Sequence, residues 1–192
     1  MAILIIGLIL FLGVHSLPFL APTWRESLQV RIGEVPYKGL ASVLNLTGFL
    51  LIIWGYGLAR QEPFTVYAPP VWTAHLALLI LVPVFPLLFA AFLPGRIQTW
   101  AKHPMLLAVI LWALAHLIAN GNLADVVLFG SFLAWSLADR ISFMWRTAPP
   151  VQGAPPGKAN DWIALGLGLL LYGAFMGGTH LWLIGVSPLG AR

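Results

Sequence analysis

Charge is the scarcest property of this sequence. Ten Lys and Arg and six Asp and Glu are spread over 192 residues, 8% of the chain, against 60% apolar residues. A soluble domain carries roughly a quarter of its residues charged, and the mean hydropathy of +0.91 lies far from that regime. The arithmetic excludes a disordered chain, a nucleic-acid-binding domain and an ordinary cytosolic enzyme. The net charge of +4 and pI near 9.9 come from those few bases and mark no nucleic-acid patch. What remains is a polytopic membrane protein with the lipid bilayer as its solvent. The absence of cysteine removes disulfides, thiolate metal sites, Fe–S clusters and covalent c-type haem attachment.

A bilayer-crossing helix needs about 20 mostly apolar residues. The first such run is Ile3 to Leu20. No basic residue precedes it and no A-x-A site follows it, so it reads as a retained span and not as a cleaved signal. The second runs from Leu40 to Leu58 and the third from Val71 to Leu93, where Pro83 and Pro86 predict a kink. The fourth starts at Pro104, a good first-turn residue, and stops at Asn120-Gly121. The fifth follows Asn122, has Asp125 in its first turn and reaches Phe143. A Pro/Gly-rich linker, 147–159, precedes the sixth span, Asp161 to Ile184. Glycines 166, 168, 173, 177 and 178 of that span predict close helix approach, with Gly173-x-x-x-Gly177 at the small-xxx-small spacing.

The few bases then set orientation. Arg25, Arg31, Lys38, Arg96, Lys102, Arg140, Arg146 and Lys158 fall in the loops after spans one, three and five, whereas the other side holds only Arg60 and Arg192. By the positive-inside rule the first group is cytoplasmic. The expectation is an all-α polytopic membrane helix bundle, 1–192 as a single integral membrane domain. It has about six transmembrane helices, both termini on the periplasmic side and 147–159 as a cytoplasmic linker.

With charge confined to loops and caps, polar groups inside the membrane become the functional candidates. Five histidines stand out: His15, His75, His103, His116 and His180. Neutral imidazole is cheap to bury and is the commonest nitrogen ligand of metals and haem iron. Trp112, His116 and Asn120 are spaced by four and share one helical face. Trp112 is placed to wall a planar ligand, and Asn120 either to fix the His116 tautomer or simply to cap the helix before Gly121. Residues Asn45, Thr47, Ser131 and Ser136 suit interhelical hydrogen bonds, and Asp139-Arg140 a local ion pair.

These elements are joined by longer blocks. Leu10-Phe11-Leu12-Gly13-Val14-His15-Ser16, Arg31-Ile32-Gly33-Glu34 and Trp54-Gly55-Tyr56-Gly57 resemble the NnrU family. The same holds for His103-Pro104 and for Leu111-Trp112-Ala113-Leu114-Ala115-His116-Leu117-Ile118-Ala119-Asn120-Gly121-Asn122. Leu128-Phe129-Gly130-Ser131-Phe132 and Asp139-Arg140 complete a core of resemblance over 10–146. The resemblance implies a multi-pass protein of the bacterial inner (cytoplasmic) membrane, associated with denitrification and nitric oxide metabolism. The related 15-cis-zeta-carotene isomerases imply haem b as cofactor with histidine axial ligands, the corresponding residues here being His15 and His116.

At 1.5 Å rise per residue, His15 lies about 8 Å inside a cytoplasmic boundary at Leu20, and His116 about 18 Å in from Pro104. His75, His116 and His180 make a rival grouping toward the outer face, and His103 sits at the inner mouth. Arg25, with Arg31, Lys38, Lys102, Arg140 and Arg146, flanks the cytoplasmic face and suits haem propionates; the plainer role of such bases is topology and lipid phosphate. The partners expected are haem and an apolar lipid-soluble substrate or nitric oxide, with no nucleic acid, and the chemistry is isomerase-like or redox. Two alternatives stand beside it. Lys102-His103-Pro104 is similar to the motif of membrane methyltransferases of the isoprenylcysteine carboxyl methyltransferase type, although their later acidic and Arg-containing segment has no counterpart here. The other is a non-enzymatic haem or metal delivery factor.

Overall fold

The computed structural model describes residues 1–147 and 153–189. Their regular elements are helices throughout: α1 Ala2–Leu20, α2 Pro22–Ile32, α3 Glu34–Ala59, α4 Trp72–Leu81, α5 Val84–Ala90, α6 Arg96–Ala101, α7 Pro104–Ala119, α8 Leu123–Ser142 and α9 Asn160–Ala174. Helix α9 continues through a π-helical turn, Phe175–Thr179, into α10, His180–Ile184. Among the described residues there is no strand, only an isolated antiparallel bridge between Thr65 and Asn122. Residues 148–152 of the expected linker, and Arg192, lie outside the described residues.

Among the described residues, four segments are long and apolar enough to cross a membrane: Ala2–Leu20, Glu34–Ala59, Trp72–Ala90 and Asn160–Ile184. Helix α7 has 16 residues, about 24 Å at helical rise against a hydrocarbon core of about 30 Å. Helix α8 has 20 residues but carries Asp125, Asp139 and Arg140. The side-chain distribution suits lipid: Ile9, Val43, Leu170 and Trp182 are exposed, while more than half of the buried apolar residues are alanine. Large residues outside and small ones inside is the pattern of helices that meet by close packing rather than by a hydrophobic core.

The chain divides into two compact units, Met1–Tyr67 with Asn122–Arg146, and Ala68–Gly121 with Thr147–Arg192. In the first, α1 and α3 form the principal pair, with α2 on both and α8 against α1 and α3. Glycine makes that seam. A Cβ on Gly7 would stand 2.7 Å from the Ile52 nitrogen, and one on Gly48 2.8 Å from the Phe11 nitrogen. Gly55 is more crowded still, by the Leu4 backbone. The stretch between the first two spans, expected as a loop, is helical: α2 ends at Gly33, whose φ of 89° provides the left-handed turn into α3. Asp139 pairs with Arg146, one turn beyond the helix end.

In the second unit α5 lies against α6, α7 and α9, and α4 against α7. The expected kink is present: α4 stops at Leu81 and α5 restarts at Val84, with Pro83 between them. Gly168 of α9 approaches α5 so closely that a Cβ would stand 2.5 Å from the Pro86 Cδ. The expected Gly173-x-x-x-Gly177 seam is not one, because a Cβ at either position meets nothing within 4 Å. Gly178 instead breaks the helix, with φ of 146°. Asp161, expected only as a helix start, accepts from the Arg96 and Ile97 amides at 2.9 and 3.0 Å and so caps α6.

Candidate functional site

In the first unit His15 is half-buried on α1. Its Nδ1 lies 2.8 Å from the Phe11 carbonyl, four residues back. A carbonyl only accepts, so Nδ1 carries the hydrogen and the neutral ring keeps its lone pair on Nε2. The ring sits 4.3 Å from the Phe11 ring and edge-on to Trp135 at 5.9 Å. Trp135 itself has a buried indole nitrogen without a hydrogen-bond partner, and so has the Asn45 side-chain oxygen of α3. Arg25 lies over the Tyr37 ring, 5.7 Å from its centroid.

In the second unit the same device recurs. The Nδ1 of His116 lies 2.8 Å from the Trp112 carbonyl, and the two rings are 5.4 Å apart. Trp112 therefore acts twice, holding the imidazole tautomer through its carbonyl and flanking it with its indole. Asn120 caps the helix, its side-chain amide donating to the His116 main-chain carbonyl at 2.9 Å. His180 follows the π turn, with Nδ1 2.6 Å from the Val186 carbonyl. His75 is exposed on α4. Among the described residues no group of three or more His, Cys, Asp or Glu is placed to hold a metal ion, so His75, His116 and His180 are not gathered into such a group. One or two imidazoles suffice for haem iron.

His103 precedes α7 in an unusual turn. Its amide donates to the Ala101 carbonyl at 2.6 Å across Lys102, whose φ of 60° and ψ of −50° form a strained γ-turn. Lys102 is exposed and His103 half-buried, with Pro104 opening the helix.

Sequence reasoning missed a buried carboxylate with a partner. Asp125 is only 6% exposed and accepts from the Tyr56 hydroxyl at 2.5 Å. The Arg60 guanidinium stands over the Tyr56 ring at 5.5 Å. The strand-like bridge at Thr65 and the Leu123 amide, which donates to the Phe64 carbonyl at 2.8 Å, pin the start of α8 beside this pair. Tyr56 and Asp125 are 69 residues apart, and no local pattern links them. The spacing of Phe11 with His15, by contrast, repeats that of Trp112 with His116 and is visible in the sequence.

A family model described as NnrU protein matches residues 3–188. No curated protein matches the chain. No solved structure matches it.

Proposed function

The chain belongs to the NnrU family, and on that premise we propose that it is an integral membrane protein that binds haem b through histidine. It crosses the bacterial inner membrane about six times, with both termini on the periplasmic side. In support of six crossings, the charges of α8 fall in its first and last turns, at Asp125, Asp139 and Arg140, so that its middle is uncharged. Eight bases on one side of the spans against two on the other support the orientation.

The observation that carries the haem reading is how His15 and His116 are held. Each commits Nδ1–H to the carbonyl four residues back, at 2.8 Å, and each has that residue's aromatic ring beside it. Metal-ligating histidines almost always spend their second ring nitrogen in this way, which fixes the tautomer and makes the free nitrogen more basic. In His15 that nitrogen is Nε2. The orphaned indole nitrogen of Trp135, beside His15, is a polar atom for which the protein alone provides no partner. His15 and His116 are each the candidate iron ligand of their own unit; Phe11 would flank the first imidazole and Trp112 the second, and Arg25 would meet a propionate. Bound haem supplies redox chemistry or coordination of a small ligand such as nitric oxide; the chain's own residues hold the ligand nitrogens and exclude water.

Substitution tests the assignment. His15→Ala and His116→Ala should each lose the haem absorption band of the detergent-purified protein, and His180→Ala should keep it. Retention of the band in His15→Ala with loss in His75→Ala and His180→Ala would overturn the assignment.

A further inference from the structure

The second unit contains a cavity of about 270 Å³, lined among others by Phe85, Ala108, Trp112, Phe175, Met176 and His180. That is about nine times the ~30 Å³ share of one water in the liquid. Its lining is almost wholly apolar. Ordered water needs two to four polar partners and this lining offers few, so it favours a guest with an apolar body. It is formed within Trp72–Ala90, Pro104–Ala119 and Asn160–Ile184, all apolar helical segments, so it suits a lipid-soluble guest. The π-helical turn Phe175–Thr179, which contains the break at Gly178, supplies Phe175 and Met176 to its wall. Such widened turns recur at functional sites because they re-aim the side chains that follow.

Besides the Trp112 indole, two polar side chains stand in the lining, His180 and Tyr172, and both have already given their hydrogen away. His180 Nδ1–H donates to the Val186 carbonyl at 2.6 Å, and the Tyr172 hydroxyl donates to the Leu78 carbonyl at 2.9 Å. What each retains is an acceptor, the Nε2 lone pair of the neutral imidazole and the phenol oxygen. A guest that satisfies them has to bring the hydrogen. We propose that this cavity binds a small lipid-soluble molecule carrying one hydrogen-bond donor, a phenol or an alcohol, whose O–H is accepted by His180. The site does not need an iron ligand, since neither His15 nor His116 lines it, and it shares with the haem reading the Trp112 that stands beside His116.

The test uses the full chain in phosphatidylcholine nanodiscs and two photolabels, a 4-hexylphenol bearing an alkyl diazirine and its methyl ether. The ether has the same apolar body and no donor. The phenol should label the peptide containing Phe175 and Met176, and should be captured there about fivefold better than the ether, the worth of one net hydrogen bond. His180→Phe should remove that preference while still capturing both labels, and Val109→Trp, which fills the cavity, should abolish labelling. The comparison of phenol with ether in the unaltered protein stands even where a variant fails to fold. Equal capture of the two labels, label confined to other peptides, or an unchanged preference in folded His180→Phe would overturn the proposal. A haem spectrum taken on the same sample separates the readings, because labelling as expected in a colourless chain supports this site and not the haem.

Discussion

Replacing Gly48 with alanine tests whether the α1–α3 seam depends on close backbone approach. The added Cβ would stand 2.8 Å from the Phe11 nitrogen, 3.0 Å from the Phe11 Cβ and 3.1 Å from the Gly7 carbonyl oxygen. Relaxed non-bonded contacts are about 3.5–4.0 Å, so α1 has to retreat by roughly half to one ångström, which forfeits a quarter to a half of each contact it makes there. Overpacking of this kind costs about 1–3 kcal/mol, and alanine's better helix propensity returns about 1. The control is in the same helix: a Cβ on Gly57 meets nothing within 4 Å, so Gly57→Ala carries the propensity gain without the clash. The two variants should differ by about 1–3 kcal/mol, Gly48→Ala being the less stable. Reversible unfolding in mixed detergent micelles measures the difference. Equal stability, within the ~0.5 kcal/mol expected of unrelated sites, would refute the idea that glycine sets this helix spacing.

Tyr56→Phe removes the hydroxyl that donates to Asp125 and leaves a buried carboxylate short of a donor. It should cost about 1–3 kcal/mol in the same unfolding assay. Asp161→Ala takes away the acceptor of the Arg96 and Ile97 amides; a loss of about 1–2 kcal/mol and faster tryptic cleavage at Arg96 are expected. Lys102→Gly relaxes a side-chain-bearing residue at φ 60° and should raise stability by about 1 kcal/mol, whereas Lys102→Val should lower the unfolding midpoint.

The apolar runs made the spans legible, and punctuation made their ends so. Pro83 falls in the gap between α4 and α5, and Asn120-Gly121 follows α7 directly. The helix Pro22–Ile32 escaped because its sequence, PTWRESLQVRI, is polar and has no buried residue to give it a periodic face. Glycine was misread for a geometric reason. Spacing along one helix, as in Gly173-x-x-x-Gly177, says nothing of whether a partner faces it, while Gly7, Gly48 and Gly55 do their packing across two helices. The same holds at the candidate site. The Nδ1 bonds of His15 and His116 are local, four residues long, and implicit in helical spacing. The pairing of Tyr56 with Asp125, and the cavity that brings Trp112 beside Phe175 and His180, depend on tertiary contact alone.

The central claim is that a chain with so little charge to spend does its chemistry through neutral imidazoles on haem iron. An absorption spectrum of the detergent-purified protein, oxidised and then reduced, tests it most directly. The account predicts a Soret band with sharp α and β bands on reduction. Protein that stays spectrally silent after reconstitution with excess haemin would contradict it.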